Sequence, residues 1–299
     1  MHSIKHMKTF CTVVEYGGFV GAQASLGMSQ PAISTHIKDF EIRLGFRLCY
    51  RGRSGFQLTE KGEITYRKCR EMLNMISDFD ADLAELRNKL TGVLRVGLID
   101  NTVSNQEFPI PAAINRFYSR DNDVSLSLTI LSPEDLEREL LSGNIHLAIG
   151  IFANRHSGIR YRHLYTESHK FYCGKNHPLF DLPDEEINLE LLRKYPISSR
   201  TYMQQADLQY FRNKQNTASV SNMEAQAILI SSGSFMGFLP VHYAQQWVDR
   251  GEMRAIEHLG LNWSSDFQLA VRSSPEPQNI ARIFVEDIEA TIAALEEES

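Results

Sequence analysis

At 299 residues the chain is too long for one small domain and fits two or three compact units. Its 42% hydrophobic and 23% charged residues suit an ordinary globular protein, with no apolar run of 18 residues to span a membrane. The start, Met1 to Lys8, begins an amphipathic pattern rather than a secretory leader, so a cytoplasmic location is expected. Cys11, Cys49, Cys69 and Cys173 form no CxxC pair, which predicts reduced thiols and excludes a disulfide framework. The net charge of −6 speaks against nucleic acid only as an average. The first 70 residues carry 11 Lys/Arg against 5 Asp/Glu, and the rest carry 20 against 32. A basic head on an acidic body confines any DNA contact to one end.

The head reads as three short helices. Ile4, Met7, Phe10, Cys11 and Val14 recur at helical spacing before Gly17-Gly18. Phe19, Ala22 and Leu26 share one side of a second helix, and Gly27-Met28 makes a tight turn. Ser29 is an N-cap candidate whose hydroxyl can accept from a free backbone N–H. Pro31 suits the first turn, where its missing N–H costs nothing. Ile33, Ile37, Phe40 and Leu44 line the third helix, which stops at Gly45. Its other side offers Pro31, Ser34, Thr35 and Lys38, with Gln30 at the N-terminal end. That set of short donors, acceptors and a cation suits base edges and phosphates. From Phe46 to Thr59 two glycines stand between short apolar segments, as in a small hairpin or wing. Arg51 and Arg53 would meet backbone phosphates there.

Singly these polar residues describe a solvated helix face. In order they describe a winged helix-turn-helix. Phe10 to Phe19, then Ala22, Ala24 and Leu26, Ser29 to Ser34, Ile37-x-x-Phe40-Glu41, Leu44-Gly45 and Leu58-Thr59-x-x-Gly62 resemble the DNA-binding signature of the LysR-type transcriptional regulators. The resemblance covers residues 4–62 densely and implies that the helix from Ser29 to Leu44 enters the major groove, with the wing on the flanking backbone. Phe40 replaces the family's usual leucine, one apolar residue for another.

From Thr59 to Thr91 the only glycine is Gly62, and there is no proline. Cys69, Met72, Ile76, Phe79, Leu83, Leu86 and Leu90 step by three and four, an apolar a/d seam over three heptads. A helix over 60–90 would reach ~45 Å. The 3.5-residue period predicts self-association through this linker helix, placing two recognition helices about 34 Å apart or a multiple of it. The family resemblance adds a dimer or tetramer.

Beyond Gly92 short apolar runs alternate with helical patterns, the sign of an α/β fold. Strands are expected at Val93–Ile99, Val124–Leu131, Ile145–Ile151 and Ile159–Leu164, and helices at Phe108–Tyr118 and Pro133–Leu141. Near Thr166-Glu167-Ser168 the chain crosses into a second lobe. There Phe171–Cys173, Pro196–Ser198 and Phe235–Leu239 read as strands, and 203–214, 223–232 and 242–250 as helices. Phe267–Arg272 and the helix Asn279–Glu297 return to the first lobe. Gly143 to Ile149, His177-Pro178-Leu179, Gly233 to Pro240 and Arg250 to Met253 resemble the effector-binding domain of the same family, two lobes of periplasmic-binding-protein type. His146 stands where the family has aspartate. The division expected is 1–58 winged helix-turn-helix, 59–90 linker helix and 91–299 effector-binding domain. Within the last, lobe I takes 91–165 and 267–299, and lobe II takes 166–266.

Ligands of open α/β sheets bind at the carboxyl ends of strands, here between the lobes. That rule selects Asp100, Asn101 and Thr102, then Ser132, Gly150, and Ser199, Arg200 and Thr201. Hydroxyls and amides there could hold a carboxylate, Arg200 could pair with it bidentately, and Phe152 and Tyr202 could cover an aromatic ring. An organic or aromatic acid is therefore the expected effector, although turns and caps explain each residue singly.

No HExxH, GxSxG, GxxxxGK[ST] or GxGxxG occurs in a strand-to-helix context, so no enzyme motif and no cofactor are expected. His169, Cys173 and His177 recur every four residues, but on a strand that spacing makes no metal site. A peroxide-sensing disulfide would need a second cysteine beside Cys173 in the effector domain. The reading is a regulator whose partners are double-stranded DNA with a palindromic operator, a small-molecule effector, further copies of the chain and RNA polymerase. The alternative is a small-molecule-binding protein or enzyme that uses its head only for assembly. Retention of duplex DNA by residues 1–90 would separate the two.

Overall fold

In the head, the apolar spacing becomes α1 (Ile4–Glu15), α2 (Ala22–Leu26) and α3 (Gln30–Leu44). The computed structural model describes residues 3–50, 55–87, 89–105, 107, 110–153, 155–211, 217–274 and 279–298. They divide into two units, Met1–Val93 with Ser142–Asn144, and Leu94–Leu141 with Ile145–Ser299.

Phe10, Val13, Ala22, Ile33, Ile37, Phe40 and Leu48 form the head's core, and all are buried. Each of the larger ones contributes ~1.5–3 kcal/mol on leaving water. Gly27 and Gly45 end α2 and α3 in left-handed geometry, with φ of 59° and 78°, where a Cβ would be strained. β1 (Cys49–Tyr50) pairs antiparallel with β2 (Gln57–Leu58) to make the wing.

Then α4 (Glu60–Glu85) begins at Thr59, whose Oγ1 accepts from Gly62 N at 2.9 Å and donates to Arg47 O at 2.8 Å. A Cβ on Gly62 would sit 1.9 Å from Leu48 O, so the first turn of α4 lies directly on the wing's backbone. α4 is shorter than its period predicts. Arg87 N and Lys89 N turn back onto Ala84 O and close it, leaving Leu90 outside the helix.

The second unit is built on one sheet. Its elements in chain order are β3 (Thr91–Leu98), α5 (Ile110–Tyr118), β4 (Asp123–Ile130), α6 (Pro133–Leu141), β5 (Leu147–Gly150), β6 (Ile159–Gly174), α7 (Leu189–Leu192), β7 (Ile197–Arg200), α8 (Gln204–Asp207), β8 (Thr217–Val220), α9 (Met223–Ser231), β9 (Met236–Pro240), α10 (Val241–Asp249), β10 (Met253–Ala255), β11 (Asn262–Arg272) and α11 (Asn279–Glu298). The strand order is β4-β3-β5-β11-β6-β9-β7-β8, and β10 pairs with β6. β3 and β5 are parallel, as are β7 with β8 and β7 with β9. β6 and β11 run antiparallel from Lys170 opposite Asn262 to Ile159 opposite Arg272, with a bulge at Phe267/Gln268.

Two expectations change here. Thr166-Glu167-Ser168 does not break the strand, because Ser264, Ser265 and Asp266 of β11 face these residues and supply partners for their backbone. The helix expected over 203–214 is only the turn Thr201–Met203 followed by α8. Residues 212–216 lie outside the described residues.

Candidate nucleic-acid interface and ligand cleft

α3 separates its two faces cleanly. Ile33, Ile37 and Phe40 are buried, while Ser29, Gln30, Pro31, Thr35 and Lys38 are exposed and Ser34 is half-buried. Ser29 holds the extended N-cap backbone, but its hydroxyl makes no capping bond; Gln23 Oε1 on α2 instead accepts from Gln30 N at 3.2 Å. The turn at Gly27 brings Gln23 there and leaves the serine hydroxyl open. Thr35 Oγ1 donates to Pro31 O at 3.0 Å, one turn back. Arg51 and Arg53 lie outside the described residues.

A residue the polar-face reading missed positions the wing. Glu41 Oε1 accepts from Leu48 N at 2.7 Å and from Cys49 N at 3.4 Å, tying β1 to the end of α3. Its place in the Phe40-Glu41 pair of the motif was the available signal.

On α4 the expected seam divides. Cys69 is 5% exposed and belongs to the head's core with Cys11, so it is not a seam residue. Ile76 is half-buried. Met72, Phe79, Leu83 and Leu86 are 46%, 59%, 44% and 82% exposed, an apolar stripe uncovered by the described chain.

In the sheet unit several of the selected strand-end residues are engaged by neighbouring parts of the chain. Asp100 accepts from Met223 N at the start of α9 and from Tyr202 OH at 3.4 Å. Asn101 adopts φ 60° and its Oδ1 accepts from Ser104 Oγ at 3.1 Å, while Thr102 is buried beside it in sequence. Ser132 Oγ accepts from Asp135 N at 3.2 Å and caps α6. Gly150 lies against Leu136 and Ile99, and Phe152 packs its buried ring on Tyr161, 5.4 Å between centroids. Ser199 is buried in β7, and Thr201 is exposed.

Arg200 corrects the expected role most clearly. It is fully buried; Nη2 donates to Asp207 Oδ1 at 2.7 Å and Nε to Oδ2 at 3.1 Å. The bidentate carboxylate foreseen from a ligand is supplied by the chain itself, because a buried guanidinium needs an internal counter-charge.

Around this pair lies a network the strand-end rule did not select. Tyr165, Glu167 and His169 alternate along β6 and face Phe267, Ser265 and Trp263 of β11. Tyr165 stacks on Phe267 at 4.6 Å and His169 on Trp263 at 3.8 Å. Glu167, 4% exposed, takes His242 Nε2 at 2.7 Å and His169 Nε2 at 3.3 Å. His242 Nδ1 reaches Ser104 Oγ at 2.9 Å, and Arg200 Nη1 lies 3.3 Å from His169 Nε2. Burial, then the neighbouring guanidinium, holds His169 well below the ordinary imidazole range, so its ring is neutral at pH 7. The period of two over 165–169 was the missed signal. Chemically the network can position groups across the sheet; Ser104, His242 and Glu167 form a hydroxyl–imidazole–carboxylate relay in which the Ser104 hydroxyl donates to Asn101 Oδ1. Among the described residues no group of His, Cys, Asp and Glu fits a metal ion, and no helix is long and apolar enough to cross a membrane.

Residues 4–63 match the profile of the bacterial regulatory helix-turn-helix protein, lysR family, and residues 87–292 that of the LysR substrate binding domain. The chain is 32% identical over 286 residues to the HTH-type transcriptional activator BauR of Pseudomonas aeruginosa, covering 95% of this chain and 94% of that protein. It is 24% identical to the HTH-type transcriptional regulator MetR of Salmonella typhimurium, over 95% of this chain and 89% of MetR. In fold it resembles CbnR, a LysR family transcriptional regulator, with TM-score 0.70 and 18% identity over 97% of this chain and 99% of that one. Full-length CbnR complexed with its target DNA gives TM-score 0.68 at 19% identity, with the same coverage.

Proposed function

The chain belongs to the LysR family of DNA-binding transcriptional regulators, a non-enzymatic family, and on that premise we propose that a small molecule held between the two sides of its sheet sets how the head engages an operator. The observation that carries the DNA half is α3, with Gln30, Pro31, Thr35 and Lys38 exposed opposite a closed apolar core. Short polar side chains on such a helix reach base edges, while Lys38, Arg51 and Arg53 supply salt-dependent phosphate contacts. In this reading residues 1–58 are the winged helix-turn-helix, 59–90 the linker that contains α4, and 91–299 the effector-binding domain.

Two copies pair through the exposed stripe of Met72, Phe79 and Leu83, with Ile76 beside it, and so read a palindromic site in half-sites about 34 Å apart. Tetramers are the next level of assembly. Similarity to the P. aeruginosa activator favours activation, which brings in RNA polymerase as a partner. The effector lies near Asp100 and Tyr202, where the start of α9 approaches the turn after β3.

The test is selection of genomic fragments by the full-length protein, followed by variants on the enriched site. Gln30→Ala and Thr35→Ala are expected to relax base preference by about 1–3 kcal/mol at single positions. Arg53→Ala is expected to weaken all sequences alike and lower the salt slope by about 1. Phe79→Glu with Leu83→Glu should abolish paired half-site protection. Identical behaviour of these variants would sink the assignment.

A further inference from the structure

The space beside Asp100 differs in charge from the anion site that the sequence suggests. It is a cavity of about 780 Å³ within the sheet unit, bounded by Asp100 and Asn101 after β3, Ile130 at the end of β4, and the helices α9 and α10. Asp100 and Glu224 bring two carboxylates to its wall. Tyr243 and Trp247 stand beside them edge to face, with ring centroids 5.0 Å apart. Among the described residues lining it, none is Lys, Arg or His. The Tyr243 phenol is pushed up by burial and then by Glu224 and Asp100, the two carboxylates beside it.

The features that would hold an anion nearby are already in use. At the start of α9, Met223 N donates to Asp100 and Ala225 N donates to Asn222 Oδ1. The guanidinium of Arg200 is forked onto Asp207. An incoming carboxylate would meet two like charges and no unpaired cation. An incoming ammonium would meet two counter-charges and the aromatic surfaces that bind cations well when partly desolvated.

We propose that this cavity takes an organic ammonium group on a small aliphatic body, seated between Asp100 and Glu224 and against Tyr243 and Trp247. The inference rests on the reading of the chain as an effector-controlled regulator and specifies the charge of the effector, opposite to the acid suggested by Arg200. Asp100 would fix orientation because α9 already holds one of its oxygens. Glu224 would supply the second charge. A volume of this size falls within the usual range for small-molecule sites.

The full-length protein, in phosphate buffer, is titrated by calorimetry with n-butylammonium, tetramethylammonium and butyrate. Saturable binding of an ammonium probe, on the order of millimolar for so few atoms, and none of butyrate is the expected result. Glu224→Gln and Trp247→Leu should each weaken it about tenfold, with thermal unfolding unchanged as the control for folding. A stronger response to n-butylammonium than to tetramethylammonium would assign the site to protonated amines, which can donate to the carboxylates; the reverse would assign it to quaternary ones. Binding of butyrate alone, no binding of any probe up to about 100 mM, or unchanged affinity in Glu224→Gln would overturn the proposal. Retention of selected genomic fragments, measured without ligand, is independent of these titrations. If DNA selectivity persists while the ammonium probes fail, only the effector charge is wrong; if selectivity is absent, the regulator reading itself fails.

Discussion

On α3, Gln30, Thr35 and Lys38 stand open to solvent, whereas in the sheet unit Glu167, His169, Arg200 and Asp207 are 4% exposed or less and are bonded to one another. The contrast separates two uses of polar chemistry. Exposed polar side chains on a rigid helix contribute little to stability and are accessible to a partner. Buried charges contribute shape, and they persist only as a completed set. Substitutions in the head should therefore change DNA recognition at small stability cost, and substitutions in the network should do the reverse.

Asp207→Ala is the strongest way to break that contrast. Leaving the Arg200 guanidinium buried without its carboxylate is expected to cost about 3–5 kcal/mol, read as a lower unfolding midpoint of the full chain in urea. Arg200→Met combined with Asp207→Leu should recover most of the loss. A single variant within about 1 kcal/mol of the natural chain would mean that the pair is not the structural element described here.

Gly62→Ala probes the part of the head that is not free. Its new methyl would press on Leu48 O, so a loss of about 1–3 kcal/mol is expected, together with weaker DNA retention because the wing is displaced. Unchanged retention would detach the wing from recognition.

The smallest effect is a pH slope. In the fold His169 stays neutral, while in the unfolded chain it titrates near 6.5. Below that value the unfolded chain binds a proton that the folded chain does not, so stability falls with falling pH by up to ~1.4 kcal/mol per unit. His169→Gln should flatten the slope between pH 6.5 and 5. An equal slope in both proteins would show that His169 does not supply it.

Most of the head was legible because its determinants are local. Helix spacing, the Gly27 turn and Gly45 act within a few residues of themselves, and the core face of α3 follows from Ile33, Ile37 and Phe40 alone. What was missed there needed a distant backbone, such as Leu48 N reaching Glu41 or Leu48 O facing Gly62. In the sheet unit distance dominates. The middle of β6 is too polar to read as strand until β11, about a hundred residues later, supplies its partners. Arg200 was placed at the right strand end but given the wrong occupant, since nothing in a strand-end rule says whether a side chain turns inward. Cys69 fits the heptad yet packs with Cys11, because the first turns of α4 serve the head's core.

The ladder between β6 and β11 also bears on how such a chain can be rebuilt. The polypeptide leaves the β4-β3-β5 side of the sheet along β6 and returns along β11, with Lys170 directly opposite Asn262. Everything from 171 to 261 is thus an insertion whose two ends meet across one rung. A short turn joining them would leave a hairpin on the remaining sheet, but excising this half would also remove Arg200, Met223 and His242 and leave His169, Asp100 and Glu167 without those partners.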